Sequence, residues 1–295
     1  MSVRGTTAHM LRPTTPPDPT LTTRPVATTR TFTLQSFGPG AAPNIKDLVR
    51  KPEDVRAESD PSTYLNPFDA QYAEEWPDPI HRFLEEIVSA SNIVLDDNDE
   101  PLPGYGDPTW GFYTFVTDYD ADTLENIPRA MGKLVDLTRR MVGAGTTTAY
   151  ADEALRRFKI DVVQDEEALS GASDDRVREE FRALLRGLNL LGEDGRIRGP
   201  ARNDVCVVID TATVCMLADL TFSEDLRADY LRLYEKTLKV VDAWWKRPET
   251  NISAYRGVDY CPSTSLGYFY MVLRTRGYSG AMEELWPMKK SFRSL

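Results

Sequence analysis

The chain has 295 residues, 41% of them hydrophobic, and a formal net charge of −11 at pH 7. That length and apolar content suffice for a substantial core in one large domain with flanking segments. The acidic balance works against nucleic acid phosphates and anionic membrane surfaces as partners, and no apolar run approaches the roughly eighteen residues of a membrane span. Cys206, Cys215 and Cys261 form no C-x-x-C pair, so neither a zinc knuckle nor a secreted disulfide scaffold is indicated. Without a basic-then-apolar secretory signal, the expected location is the cytoplasm or nucleus.

Residues 1 to 50 read as a disordered arm. The first forty hold eleven Thr and six Pro, with Arg4, Arg12, Arg24 and Arg30 against the single acid Asp18. An Arg-rich, acid-poor start has a faint mitochondrial character, but Pro13, Pro16, Pro17, Pro19 and Pro25 obstruct the amphipathic helix that a presequence needs. Residues 51 to 74 form an irregular lead-in, and residues 75 to 290 a globular domain. Its first element is a helix capped by Asp78, with Ile80, Phe83, Leu84, Ile87 and Val88 on one face. The acidic, Gly- and Pro-rich stretch 96 to 108 is a loop. Asp96, Asp97, Asn98 and Asp99 lack the alternate spacing and central Gly of a calcium-binding EF-hand.

WGFYTFVTDY, from Trp110, concentrates aromatic and β-branched residues with both faces apolar, which predicts an interior strand. The spacing of Asp122 and Glu125 predicts a helix start, and Leu124, Ile127, Met131, Leu134, Val135 and Met141 a buried stripe. Pro128 predicts a kink, or a start one turn later. Residues 156 to 165 read as a strand, and Ser173 caps a helix buried through Val177, Phe181, Leu184, Leu185 and Leu188. Residues 204 to 210 form the most apolar strand, followed by a short helix or bend. A helix over 223 to 236, a strand over 238 to 245, a long loop over 246 to 265, a strand over 267 to 275 and a short helix near Met282 complete the order.

Taken together, the WGF strand at Trp110, Gly111 and Phe112, the acid-ended strand and helix carrying Asp165, Gly171, Ala172, Ser173, Arg178 and Phe181, the strand with Cys206 and Asp210, and the strand with Asp242 and Trp245 resemble a large, lineage-expanded set of uncharacterised proteins from filamentous fungi. The resemblance runs over roughly residues 105 to 275. It implies a fungal source and a shared fold, and no reaction. Thr117 and Gly267-Tyr268-Phe269 depart from the family's pattern of Arg and Gly-Trp-Met at those places.

Catalytic residue types are sparse. His9 and His81 are the only histidines, which nearly closes the route to a serine or cysteine nucleophile with a histidine base. No Walker or dinucleotide-binding glycine motif follows a strand. What recurs is aspartate at strand ends: Asp118, Asp165, Asp210 and Asp242. Were the strands parallel, these carboxylates would share the sheet edge where α/β sites are built and could hold Mg²⁺ for phosphoryl or nucleotide chemistry. Aspartate serves equally well to end strands and cap helices. A second constellation is aromatic, with Trp244, Trp245, Tyr255, Tyr260, Tyr268 and Tyr270 near Arg247 and Arg256. Of these, Trp245, Tyr255, Arg256 and Tyr268 are the candidates for a ligand groove, against a core role.

The expected fold is an α/β or α+β domain with a roughly five-stranded mixed sheet flanked by helices, a ferredoxin-like arrangement being the main competitor. The expected function is binding of a protein or small molecule. The alternative is an enzyme, either of Mg²⁺-dependent phosphoryl chemistry or of fungal small-molecule biosynthesis.

Overall fold

Three runs rich in aromatic and β-branched residues, Trp110–Val116, Phe158–Gln164 and Val205–Ile209, have apolar side chains on both faces and so need cover on both. The computed structural model describes residues 22–27, 31–38, 109–142, 155, 157–191, 201–246, 255–267, 269, 270 and 273. In it these runs lie side by side and parallel. Strands β1 (Thr22–Ala27) and β2 (Thr31–Phe37) precede them in the chain, so they are β3, β4 and β5. Antiparallel β6 (Thr237–Asp242) and β7 (Val258–Pro262) complete a seven-stranded mixed sheet of order β1-β2-β4-β3-β5-β6-β7.

Helix α1 (Ala121–Val142) joins β3 to β4, while α2 (Glu166–Leu169) and α3 (Asp174–Gly187) join β4 to β5. Because β4 and β5 flank β3 on opposite sides, the two crossovers travel in opposite directions, and crossovers of one hand then place their helices on opposite faces. The core divides accordingly. On one face Trp110, Phe112, Ile160 and Val207 meet Ile127, Met131 and Leu134 of α1. On the other, Tyr113, Phe115 and Val163 meet Val177, Phe181, Leu184 and Leu185 of α3. Burial of each such side chain contributes about 1.5–3 kcal/mol. Parallel neighbours joined by helical crossovers make this an α/β fold and set aside the ferredoxin-like competitor.

Gly111 explains the second letter of the WGF run. Its φ is +127°, and a Cβ there would collide with the carbonyl of Lys159, its partner on β4.

Several expectations are corrected. Helix α1 starts at Ala121, one residue before Asp122, and runs through Pro128 without a break. Pro128 is exposed, so its ring meets solvent, and Leu124, expected in the stripe, is 37% exposed. Within the stretch read as a disordered arm, residues 22–27 and 31–37 pair as strands, with Phe32, Leu34 and Phe37 buried. The rest of that stretch lies outside the described residues, as do the lead-in, the expected helix from Asp78, the acidic loop and the helix near Met282.

At the carboxyl-terminal side, β6 ends at Asp242, and β7 forms inside the expected long loop. The expected strand over 267 to 275 is replaced: Leu266, Gly267, Phe269, Tyr270 and Leu273 are helical. Leu266, Phe269, Tyr270 and Leu273 are all buried at i, i+3, i+4 and i+7, so a helical period overrides the strand preference of the aromatics. Tyr270 packs against Trp110 with ring centroids 5.7 Å apart.

The β2–β4 seam carries a buried ion pair. Asp161 accepts from Arg202 Nη2 at 2.5 Å and from Ser36 Oγ at 2.5 Å, with Lys159 Nζ 3.2 Å away. The Arg202 guanidinium also lies over the Tyr113 ring, 4.5 Å from its centroid.

Candidate functional site

The reversal of strand order at β3 and β5 creates the feature that sites in open α/β sheets use: two neighbouring parallel strands whose following segments leave for opposite directions. After β3 the chain runs through Thr117, Asp118, Tyr119 and Asp120 into α1. After β5 it runs through Asp210 into α4 (Thr211–Ala218). The two exits are tied together, since Thr117 N–H donates to the Ile209 carbonyl at 3.0 Å.

Asp118 stands half-buried between these exits. Its Oδ2 accepts from the Thr211 hydroxyl, and its Oδ1 from the Asp120 N–H at 3.3 Å. Thr211 Oγ1 and Thr123 Oγ1 are 2.8 Å apart. Since the Thr211 proton goes to Asp118, the Thr123 hydroxyl is the donor of that second bond, which makes a relay from α1 through α4 to the carboxylate. The Thr211 hydroxyl, followed by the Asp120 N–H, holds the Asp118 carboxyl below its ordinary range, so it is an anion at neutral pH.

Asp165 and Asp210 lie at the same edge, one at the end of each of the other two parallel strands. Each is engaged as a helix cap. Asp165 Oδ1 accepts from Ala168 N at 3.1 Å, and Asp210 Oδ1 from Thr213 N at 2.8 Å and Thr213 Oγ1 at 2.7 Å. Tyr119 spans from the β3 exit to β4, its hydroxyl accepting from Asp165 N–H at 2.8 Å. Burial, reinforced by the charges of Asp165 and Glu166, pushes the Tyr119 phenol up to about 12, so it stays protonated. Among the described residues, no three His, Cys, Asp or Glu side chains are grouped to take a metal ion.

Asp242 does not join them. Strand β6 is antiparallel to β5 and Asp242 pairs with Val205, so it lies at the opposite edge. There it organises a closed turn: Oδ1 accepts from Trp244 N at 2.7 Å and Trp245 N at 3.1 Å, and Oδ2 from the Tyr255 hydroxyl at 3.2 Å. Trp244 and Trp245 therefore sit in that turn, beyond the strand expected to carry them. Arg178 donates to the carbonyls of Asp242 at 2.7 Å and Gly257 at 3.2 Å, and its guanidinium lies 5.0 Å over the Trp245 ring. Tyr255 is buried, Arg256 exposed, and Tyr268 outside the described residues. Trp245 and Tyr255 are thus taken up in an Arg178-centred knot, and Gly257, at φ +72°, passes where any Cβ would strike Trp245.

Sequence reasoning found the three edge aspartates and missed the hydroxyls. Thr211 follows Asp210 directly, at the first helical position after a strand, and that adjacency was the available signal. Thr123 and Tyr119 carried none, because their partners are distant in sequence.

The fold and this edge define an α/β protein with helices on both sheet faces and aspartates along the carboxyl edge of its parallel strands. No protein-family model matches the chain, and no curated protein or solved structure matches it. No described helix is long and apolar enough to cross a membrane.

Proposed function

We propose that the protein binds a small polar ligand at the carboxyl edge of β3 and β5, with Asp118 as its central acceptor. One observation carries this reading: Asp118 is a half-buried anion at the switch point, aimed by a two-threonine relay from two different helices. An anionic acceptor of this kind disfavours a free phosphate and favours a ligand that donates hydrogen bonds, such as an amine or polyol.

The test is a thermal-shift panel of amines, amino acids and polyols on the full chain. A stabilising compound should lose its effect in Asp118→Asn and keep it in Asp165→Asn. A hit indifferent to Asp118→Asn would overturn this assignment.

An Mg²⁺-dependent phosphoryl-transfer enzyme is the second reading, favoured by the shared edge of Asp118, Asp165 and Asp210. It requires a saturable heat of Mg²⁺ or Mn²⁺ binding that Asp118→Asn abolishes. The resemblance to the fungal set supports a common fold with those proteins and bears on neither reading.

A further inference from the structure

Asp118 and Tyr119 are consecutive residues, yet their polar ends reach to opposite sides of β3. The Asp118 carboxylate accepts from the Thr211 hydroxyl, at the exit of β5, while the Tyr119 hydroxyl meets Asp165 N–H, at the exit of β4. Strands β4 and β5 flank β3 on opposite sides. The two groups therefore stand roughly 9–10 Å apart, about two interstrand spacings.

Each group has hydrogen-bonding capacity left. A carboxylate oxygen offers two acceptor sites, and the bonds from Thr211 and Asp120 take one on each Asp118 oxygen. The Tyr119 oxygen accepts from Asp165 N–H at 2.8 Å, and its own proton meets no acceptor among the described residues. Both residues are half-buried, so solvent reaches them. The two ends differ in the charge they favour. Asp118 is an anion and favours a cationic donor, because charge-assisted hydrogen bonds are about twice as strong as neutral ones. The Tyr119 hydroxyl lies in the field of Asp165 and Glu166, which disfavours a carboxylate or phosphate there and leaves a neutral oxygen as the fitting acceptor.

We propose that Tyr119 selects the second end of the ligand, and that the ligand is a linear amino alcohol with its ammonium on Asp118 and its hydroxyl oxygen accepting from Tyr119. This rests on the reading of Asp118 as the central acceptor. With one hydrogen bond of about 3 Å at each end, the span leaves roughly 4–10 Å between the two polar atoms of the ligand, which a chain of about four to six carbons fills. An amino acid of the same length would bring a carboxylate beside Asp165 and Glu166 and is disfavoured by charge. A simple alkylamine satisfies Asp118 and leaves the Tyr119 proton without an acceptor.

The experiment is an NMR titration of the full chain with three series of matched length: ω-amino alcohols, n-alkylamines and ω-amino acids of about four to six carbons. In the wild type, the amino alcohol of best length should bind roughly three- to tenfold more tightly than its alkylamine, the gain from one neutral hydrogen bond, and more tightly than its amino acid. Tyr119→Phe should abolish the preference over the alkylamine and leave the alkylamine's own Kd unchanged, which also shows that the variant is folded. Three outcomes overturn the role of Tyr119 while Asp118→Asn still weakens binding: amino alcohols and alkylamines that bind the wild type alike, amino acids that bind as tightly as amino alcohols, or a preference that survives Tyr119→Phe. The first two are read on the wild type and need no variant to fold. No binding by any series overturns this inference, and binding indifferent to Asp118→Asn overturns the reading of Asp118 with it.

Discussion

At the scale of single residues, the described part of the molecule holds buried charge in pairs at one place and leaves the Asp204 carboxyl without a hydrogen-bond partner at another. Asp161 is the paired case. Burial raises its carboxyl, but the charges of Arg202 and Lys159 and the Ser36 hydroxyl outweigh that, so the net shift is downward. A depressed carboxyl stabilises above its unfolded value of about 3.9 and loses that contribution as pH falls through the folded value. Arg202→Met should therefore cost about 3–5 kcal/mol at neutral pH, because Asp161 loses its buried guanidinium partner and keeps only the half-exposed Lys159 and the Ser36 hydroxyl. Its acid-unfolding midpoint should also move to higher pH. Circular dichroism in urea and in an acid titration measures both, and an unchanged neutral-pH stability would show that Arg202 holds Asp161 at no net gain. Asp204, raised by burial, carries the opposite sign, and its loss lies on the alkaline side.

At the scale of elements, helices α2, α3 and α4, and the helix after Asp225, begin where a side chain accepts their free amides. Ser173 Oγ takes Arg176 N at 3.3 Å, and Asp225 Oδ1 takes Ala228 N at 3.0 Å at the start of α5 (Leu226–Leu233). Helix α1 contains a local conflict, since Pro128 cannot supply the N–H that the Leu124 carbonyl would accept. The apolar face of α1, with Ile127, Ala130, Met131 and Leu134 fully or almost fully buried, holds the helix through it. Pro128→Ala should stabilise the protein by about 1–2 kcal/mol, the helical gain being reduced by a more flexible unfolded chain. A higher urea midpoint at constant slope is the expected result. A lower midpoint would mean that Pro128 is favoured where it stands.

At the scale of the whole molecule, the N-terminal strands complete the sheet. Strand β2 covers the free edge of β4 and buries Phe32, Leu34 and Phe37, whose removal forfeits roughly 5–9 kcal/mol by the same per-residue figures. That is comparable with the entire stability of an ordinary domain, and it would leave β4 as a naked edge. A chain lacking residues 1 to 40 should therefore aggregate on size-exclusion chromatography or unfold at a much lower urea concentration. A monomer with an unchanged midpoint would show that β2 is dispensable.

Local pattern was enough for much of this protein. The apolar strands β3, β4 and β5, the capped helix α3 and the aspartates at strand ends are written in residues a few positions apart, where periodicity and capping act. What pairs across the sheet is not so written. That β6 runs antiparallel, sending Asp242 away from Asp118, depends on which edge it meets. That Thr211 and Thr123 aim Asp118 depends on two crossovers bringing distant hydroxyls together. Leu266, Phe269, Tyr270 and Leu273 are helical because a buried face was there to receive a helical period. Asp204, unremarkable in the sequence, has its carboxyl raised because tertiary packing removes its water.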